Sequence, residues 1–542
     1  VMKYTREWEL LTRKMAYWVD MSRPYVTYHN SYIETIWYLL KVIYNKGLLY
    51  KGYSIQPYSP AAGTGLSTHE LNQPGCYKDV KDTTCTAMFS IIKDSASNIL
   101  FDSEDESLFF LSWTTTPWTL PSNTALCVGP SIKYIKLRTY NPYTGEPISV
   151  IMARDLRETL FREKDGTLPM DSYKPGDKAI PWEQAGLVYT GKQLKGIRYR
   201  QLIPWVNPGA GAFRVITGDF VTTQEGTGIV HIAPTFGDDD HKVAKKHGVP
   251  ALILKDSNGN VCPMVDKTGK FYRLEDLDPA FVSSEMDAGA YAPFAGRYVK
   301  NDYDPNWNKD TAQANGAGSL DVELCMWLKK NRLVFRIEKM VHNYPHCWRT
   351  DKPVLYYPLD SWFIRTTAVR ERMMELNRTI NWKPESTGTG RFGKWLENLQ
   401  DWNLPRSRYW GTPLPIWRTE DGKEERCIGS LQELYDALEV SAEKGLMSSN
   451  PLKDKGFVSG DFSSENYEKI DLHRPFVDQW ILASASGKPM RREPDLIDVW
   501  FDSGSMPFSQ EGLEKLGTPA FGQVADFIAE GVDQTRGWFF TL

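Results

Sequence analysis

Apolar positions follow a helical spacing at the start of the chain, shorten to strand-like runs from about residue 86 to 334, and turn mixed after about 366. In SYIETIWYLL, residues 31–40, the side chains of Ile33, Ile36, Trp37 and Leu40 fall on one helical stripe. Ser31 and Glu34 are spaced as a capping box, and Gly47 supplies the stop. Residues 1–52 are therefore expected to form a helical entry segment. From 53 to 85 the sequence is rich in turn formers (YSPAAGTGLSTHELNQPG), which predicts a connecting ribbon rather than a core element.

The runs LFFLSW, ISVIMA, FRVIT, GIVHIA and ALIL predict strands of a compact, mostly β domain over 86–334, with a polar, Gly-rich loop at 302–320 near its end. Residues 335–365 read as a second ribbon, so the β-rich unit looks inserted into a host fold. After 366, loops are expected at KPESTGTG (383–390) and in a soft region between Glu443 and Tyr467. The segment ADFIAEGVDQTRGWFFTL predicts a short strand, a loop carrying Glu530 and Asp533, and the start of a helix. Ligands of open α/β sheets bind at the carboxyl ends of strands, so that loop is placed for chemistry. No internal repeat stands out, and residues 140–203 attach to no function.

Composition narrows the class. A chain of 542 residues with 41% hydrophobic and 24% charged residues has room for several domains with ordinary cores. The most apolar helical stretch, 31–47, is interrupted by Glu34 and Lys41 and falls short of the ~20 apolar residues a membrane span needs. No targeting leader is read at the start. The seven cysteines lack a short repeated spacing, which argues against a disulfide framework or a four-thiolate zinc site and for a reducing, cytoplasmic compartment. His342, His346 and Cys347 in VHNYPHCW resemble half a metal site, but Pro345 keeps both histidines from sharing one helical face. A formal charge of −4 does not advertise a nucleic-acid partner, although it leaves room for a local basic groove. A start at Val1 and an end at GWFFTL are read as those of an internal fragment of a longer protein.

Two stretches carry candidate chemistry. In SWTTTPWTLPSNTAL (112–126), Thr114, Thr115 and Thr116 suit an extended backbone as valine would, yet each hydroxyl must find a partner. Taken alone they fit an edge strand with a wet outer face, ended by Pro117. In GTGIVHIAPTFGDDDHKVAKKHG (226–248), one of Asp238, Asp239 and Asp240 is expected to cap a helix, leaving another for a cationic group such as an amino acid's ammonium. His231 alone reads as a satisfied core histidine; beside hydroxyls and a carboxylate it can bind a ribose or orient water.

Taken with DWNLPRSRYWGTPLPIW (401–417), DVWFDSGS (498–505) and EGVDQTRGW (530–538), these stretches resemble the class I aminoacyl-tRNA synthetases, specifically the branch that handles isoleucine, in motif order along nearly the whole chain. Thr-Thr-Pro-Trp at 115–118, where the valine and leucine branches are expected to carry Thr-Thr-Arg-Pro, favours that branch. The resemblance implies an α/β fold: a Rossmann-like catalytic half-domain (1–52 and 366–542) with an inserted β-rich, α+β barrel-like editing domain (86–334) between ribbons 53–85 and 335–365. It implies ATP-dependent attachment of isoleucine to its tRNA and hydrolysis of mischarged valyl-tRNA.

By the same resemblance, Asp240 binds the substrate ammonium, Thr114, Thr115, Thr116 and Asn123 contact ribose, carbonyl or water, and His231 fixes the side chain or the adenosine. Trp118 and Asp239 join them in substrate binding. Trp500 and Trp538 wall the isoleucine pocket, and Glu530, Gly531, Asp533 and Gln534 contact the adenylate. The implied partners are the tRNA 3′ acceptor end, isoleucine, valine and ATP with Mg2+; no zinc, membrane or protein partner is expected. The family's His-Ile-Gly-His and Lys-Met-Ser-Lys-Ser motifs are absent, so the chain itself is not expected to activate an amino acid, and Thr535 stands where many bacterial relatives carry His. A free-standing deacylase and an aromatic-rich binding module, the latter prompted by 13% aromatic residues, remain as alternatives.

An inserted second site has a physical motive. A hydrophobic pocket converts one methylene into only ~1–3 kcal/mol of discrimination, a magnitude known for this enzyme class and not obtained from this chain. Hydrolysis of the wrong ester supplies the remainder, and since that ester is already activated, positioning matters more than a strong nucleophile.

Overall fold

The computed structural model describes residues 2–22, 24–66, 68–71, 74–307, 318–515 and 525–542. The chain divides into two compact units, Val1–Gly52 with Asp360–Leu542, and Tyr53–Leu359. It leaves the first along the strand Leu49–Ser59 and returns along Leu355–Ile364.

In the first unit the helix Asn30–Asn45 buries the predicted stripe on two sides. Ile33 and Trp37 pack with Trp417, Leu434 and Leu438, while Ile36 and Leu40 pack with Trp362, Leu404 and Ile416. Gly47, at φ 67°, ends the helix as expected. The capping box does not form. The N-cap is His29, and Ser31 lies inside the first turn. Glu34 is buried, accepting the Leu431 N–H at 2.6 Å and the Tyr467 hydroxyl. Burial raises its carboxyl above the usual range, with these two donors opposing. The tertiary partner at the start of helix Leu431–Glu443 has displaced the local one.

The strand pairs of this unit are antiparallel, among them Ile416–Thr419 with Glu425–Cys427 and with Pro489–Arg492, and Pro405–Arg406 with Leu496–Ile497. Part of the expected 383–390 loop is a π-helical turn, Thr387–Phe392. The supposedly soft region between Glu443 and Tyr467 holds two short helices, Pro451–Asp454 and Ser464–Tyr467, and sends Leu452 and Phe457 into the core. Asn466 explains its order, because its amide bonds the Val458 N–H and the carbonyls of Val458 and Asp461. The strand expected near 525–530 is not formed: Phe527 and Ile528 are exposed, and a 3-10 turn, Val532–Arg536, and a short helix, Trp538–Thr541, follow.

The second unit is built on a six-stranded sheet ordered Val334–Pro345, Tyr77–Ser90, Leu108–Thr114, Pro147–Ala153, Lys133–Tyr140, Glu183–Thr190. Within this sheet the one parallel pair among the described residues joins Leu108–Thr114 to Pro147–Ala153. The two ribbon strands, Tyr77–Ser90 and Val334–Pro345, pair with each other along their length, and the stretch Thr83–Phe89 runs buried into the core. A three-stranded sheet places Ala125–Val128 between Ile229–Ile232 and Arg214–Thr217. Four of the five predicted runs are strands here; ALIL contributes only Leu254 to a two-residue strand. Residues 140–203 supply the edge strand Glu183–Thr190 and core side chains including Trp182 and Tyr199. Of the predicted 302–320 loop, residues 308–317 lie outside the described residues.

Candidate functional site

The two motif stretches of the second unit, about a hundred residues apart, are joined by one antiparallel pairing in which His231 faces Leu126 and Ile232 faces Ala125. The strand Leu108–Thr114 stops before Pro117, which has no N–H for a ladder and opens the 3-10 turn Pro117–Ser122. Ser112 Oγ donates to the Ile229 carbonyl at 2.8 Å. Asn123 is fully engaged: Nδ2 donates to Ala125 O at 2.8 Å and to Ile232 O at 3.5 Å, and Oδ1 accepts from the Tyr199 hydroxyl at 2.7 Å. Its amide therefore holds the two stretches together.

The threonines form a chain of hydroxyls. Thr114 Oγ1 accepts the Thr116 N–H at 3.1 Å and lies 3.4 Å from Thr116 Oγ1, which is 3.5 Å from Thr119 Oγ1. Thr119 Oγ1 donates to Thr116 O at 2.8 Å and stands 3.1 Å from His231 Nε2. Thr115 is partly buried and outside this chain of contacts. A hydroxyl has one proton, so with Thr119 donating to Thr116 O, His231 carries its proton on Nε2 and presents Nδ1 as an acceptor. Burial pushes the imidazole down to about 4, so it is neutral at pH 7. Thr119 escaped the sequence reading; its offset of three from Thr116, within one turn, was the available signal.

Asp240 enters from the helix Asp238–His247. No aspartate caps this helix, contrary to expectation: Gly237 is the N-cap, without a side-chain bond. Asp238 pairs with Lys242 at 2.7 Å, and Asp239 is exposed. Asp240 instead turns back to accept the Ala233 N–H at 2.8 Å, one residue beyond the His231 strand. Glycine permits this, since a Cβ on residue 237 would lie 2.8 Å from the Asp240 carboxyl carbon. Burial pushes the Asp240 carboxyl up to about 7, opposed by the Ala233 N–H and reinforced by Asp239. The carboxylate is thus costly when empty-handed and gains from a cation.

Five buried polar atoms without a hydrogen-bond partner among the described residues fall in 118–124 and 231–235: Trp118 Nε1, Ser122 Oγ, Thr124 Oγ1, His231 Nδ1 and Thr235 Oγ1. Leaving such a group unmatched costs about 1–3 kcal/mol, so each of these atoms gains from a polar partner. The Trp118 ring meets Phe236 edge-on with centroids 5.0 Å apart.

In the first unit, Trp500, Gln534 and Trp538 come together. Gln534 Oε1 accepts the Trp538 N–H at 3.2 Å, Gln534 Nε2 donates to Asp533 at 3.1 Å, and Trp538 Nε1 donates to Ser503 O at 3.0 Å. A Cβ on Gly537 would sit 3.1 Å from the Trp500 ring, so glycine sets that approach. Glu530, Gly531 and Asp533 are exposed. Thr535 is buried, donating to Val532 O at 2.6 Å and accepting from Arg391 Nε at 3.0 Å. Asp498 caps the helix Val499–Gly504 and holds Arg406 at 2.6 Å.

Among the described residues no cluster of three or more His, Cys, Asp and Glu could hold a metal ion, and no helix is long and apolar enough to cross a membrane. His342 Nε2 lies 3.2 Å from Asp82, and His346 Nδ1 lies 2.9 Å from Tyr344 O.

All of residues 1–542 match the family model described as tRNA synthetases class I (I, L, M and V). The chain belongs to the class I tRNA synthetases. Its relatives include the isoleucine--tRNA ligases of Porphyromonas gingivalis, 64% identical over 550 residues, and Bacteroides fragilis, 62% identical over 547 residues. Each alignment covers 100% of this chain and 47% of the relative, so the chain spans about half the length of the curated relatives it matches. Among solved structures it is similar to the editing domain of a P. knowlesi cytosolic leucyl-tRNA synthetase, with 13% identity, a TM-score of 0.28, and coverage of 49% of this chain and 97% of that one.

Proposed function

We propose that the chain is the part of an isoleucine--tRNA ligase that carries its editing site, and that residues 86–334 hydrolyse valyl-tRNA. The ribbons 53–85 and 335–365 connect this editing domain to the two pieces, 1–52 and 366–542, of a Rossmann-like catalytic domain. The observation carrying the reading is the Thr114–Thr116–Thr119–His231 chain with the Asp240 carboxyl one residue beyond the same strand. Identities of 62% and 64% to isoleucine--tRNA ligases support the choice of amino acid.

The substrate ester is already activated, so the site's task is orientation. Asp240 takes the ammonium of the misattached valine; the cation draws its raised carboxyl back to the charged form. Neutral His231 accepts a hydrogen bond at Nδ1 from the terminal ribose or the attacking water. The threonine hydroxyls and Asp239 flank the ester, and Trp118 with Phe236 walls the pocket. Asn123 acts through the backbone it holds.

In the parent enzyme, isoleucine is attached to its tRNA with ATP. Trp500 and Trp538 form pocket walls, while Glu530, Gly531, Asp533 and Gln534 contact the adenylate. Mg2+ accompanies the ATP phosphates, no residue of this chain is assigned to it, and the working compartment is the cytoplasm.

The test compares hydrolysis of valyl-tRNA and isoleucyl-tRNA by the chain, alongside isoleucine-dependent pyrophosphate exchange. Faster release of valine without exchange is expected. Equal rates, or none, would remove the editing reading, and exchange would remove the claim that this portion cannot activate an amino acid.

A further inference from the structure

The turn that bears the threonine chain has an anchor 203 residues away in sequence. The first backbone donors of a helical turn have no partner within it. In Pro117–Ser122, Pro117 brings no N–H, so Trp118 carries the first such donor. Asp321 Oδ1 accepts it at 2.9 Å. Asp321 stands in the first turn of the helix Leu320–Lys330, whose own N-cap is Ser319, and is itself buried.

The carboxylate has a supported position. Burial pushes the Asp321 carboxyl up to about 7, with Lys300 and the Trp118 N–H opposing; the Lys300 ammonium is fixed by Asp82 at 2.8 Å and by the Tyr344 ring at 4.3 Å, with His342 Nε2 3.2 Å from the same Asp82 oxygen. Trp118 lies between Thr116 and Thr119, and Thr119 returns to Thr116 O through both its N–H, at 3.0 Å, and its hydroxyl, at 2.8 Å. A shift of the Trp118 N–H therefore moves both ends of the link that reaches His231.

We propose that Asp321 is a positioning residue for valyl-tRNA hydrolysis, capping the Trp118 N–H from a distant helix and so fixing the spacing of Thr116, Thr119 and His231. This rests on the editing reading above. The required property is an acceptor oxygen at that place, which an asparagine also supplies; charge on the group is not needed.

The test uses Asp321→Ala and Asp321→Asn in the full chain, with single-turnover valyl-tRNA hydrolysis over a range of tRNA concentrations and deuterium exchange of peptides covering 112–126. A misplaced constellation loses maximal rate more than binding, by up to ~100-fold for about 1 Å. Asp321→Ala is expected to lower the maximal rate roughly tenfold or more, leave the half-saturating concentration within about threefold and raise exchange in 112–126, while Asp321→Asn stays within about threefold of the parent. A folded Asp321→Ala chain with parent rate and exchange, or an asparagine variant as slow as the alanine one, overturns the proposal. If Asp321→Ala does not fold, Asp321→Ser, compatible with a helix's first turn but too short to reach Trp118, decides by the same readouts. If the parent chain hydrolyses no valyl-tRNA, the editing reading fails by itself, and exchange raised by alanine but not asparagine still decides the anchor.

Discussion

The hydroxyl–imidazole cluster around His231 and the loop carrying Glu530 and Asp533 are built on opposite plans. In the first, His231, Thr114 and Asn123 are buried, and the backbone of the Thr-bearing turn is tied by Asp321 and the Ile229–Ile232 strand. In the second, Gln534 and Trp538 are fixed by their neighbours, but Glu530, Gly531 and Asp533 face solvent. Hydrolysis of an activated ester needs a rigid arrangement of weak groups, and burial supplies rigidity. The difference teaches that the hydroxyl–imidazole cluster, for which editing is proposed, is pre-formed within one unit, while the Glu530 loop holds its polar groups where solvent competes for them.

Four perturbations break or sharpen that contrast. Gly237→Ala places a Cβ 2.8 Å from the Asp240 carboxyl carbon. Residue 237 has φ −141°, which any residue adopts, so the carboxylate moves and the backbone does not. Loss of a charge-assisted contact of ~1.5–3 kcal/mol predicts roughly 10–100-fold slower release of valine with little change in melting temperature. In the other unit, a Cβ on Gly504 would meet the Thr541 carbonyl oxygen at 2.5 Å, a backbone contact that cannot rotate away. Gly504→Ala should cost about 1–3 kcal/mol of stability and lower the melting temperature by a few degrees, with valyl-tRNA hydrolysis at the parent rate.

Titration gives a smaller and two-signed effect. The Asp240 carboxyl is raised to about 7, so the folded state binds its proton more tightly than the unfolded chain; its contribution is present at low pH and is lost as pH rises toward 7. The His231 imidazole is lowered to about 4, so its contribution is present above the ordinary histidine range and is lost as pH falls toward 4. Between about pH 4 and 6.5 the two slopes oppose. Denaturant melts across that window should show Asp240→Asn making stability rise more with pH and His231→Gln making it rise less; tilts of the same sign would contradict the burial of one group or the other. Smallest is Asp239→Ala. With its carboxylate exposed, stability should stay within about 0.5 kcal/mol and hydrolysis within a few-fold of the parent.

Periodic features of the fold were legible in the sequence. The stripe Ile33, Ile36, Trp37, Leu40 and four of the five apolar runs follow from local spacing alone. Pairings were not legible, because nothing local tells Tyr77–Ser90 that Val334–Pro345 will be its partner. The capping box at Ser31 failed for the same reason: Leu431 and Tyr467, distant in sequence, outcompeted the helix's own first turn for Glu34. One of the three aspartates is expected from sequence to cap the helix, but Gly237 takes that position and allows Asp240 to fold back. Thr119 lies inside the Thr-rich stretch, three residues after Thr116, whereas Asp321 reaches the Trp118 N–H through tertiary geometry and carries no motif of its own. Asn466 hides the order of the 443–467 stretch, since a loop tied by one amide reads as merely polar.

The central claim is that Asp240 serves a substrate cation and not its own helix. The direct measurement is the single-turnover rate of valyl-tRNA hydrolysis by the chain and by Asp240→Ala, with circular dichroism verifying that both are folded. Loss of a charge-assisted contact of ~1.5–3 kcal/mol predicts that the variant keeps its fold, since Gly237 and not Asp240 caps the helix, and hydrolyses valyl-tRNA roughly tenfold to a hundredfold more slowly. A folded Asp240→Ala chain that releases valine at the parent rate would contradict the account.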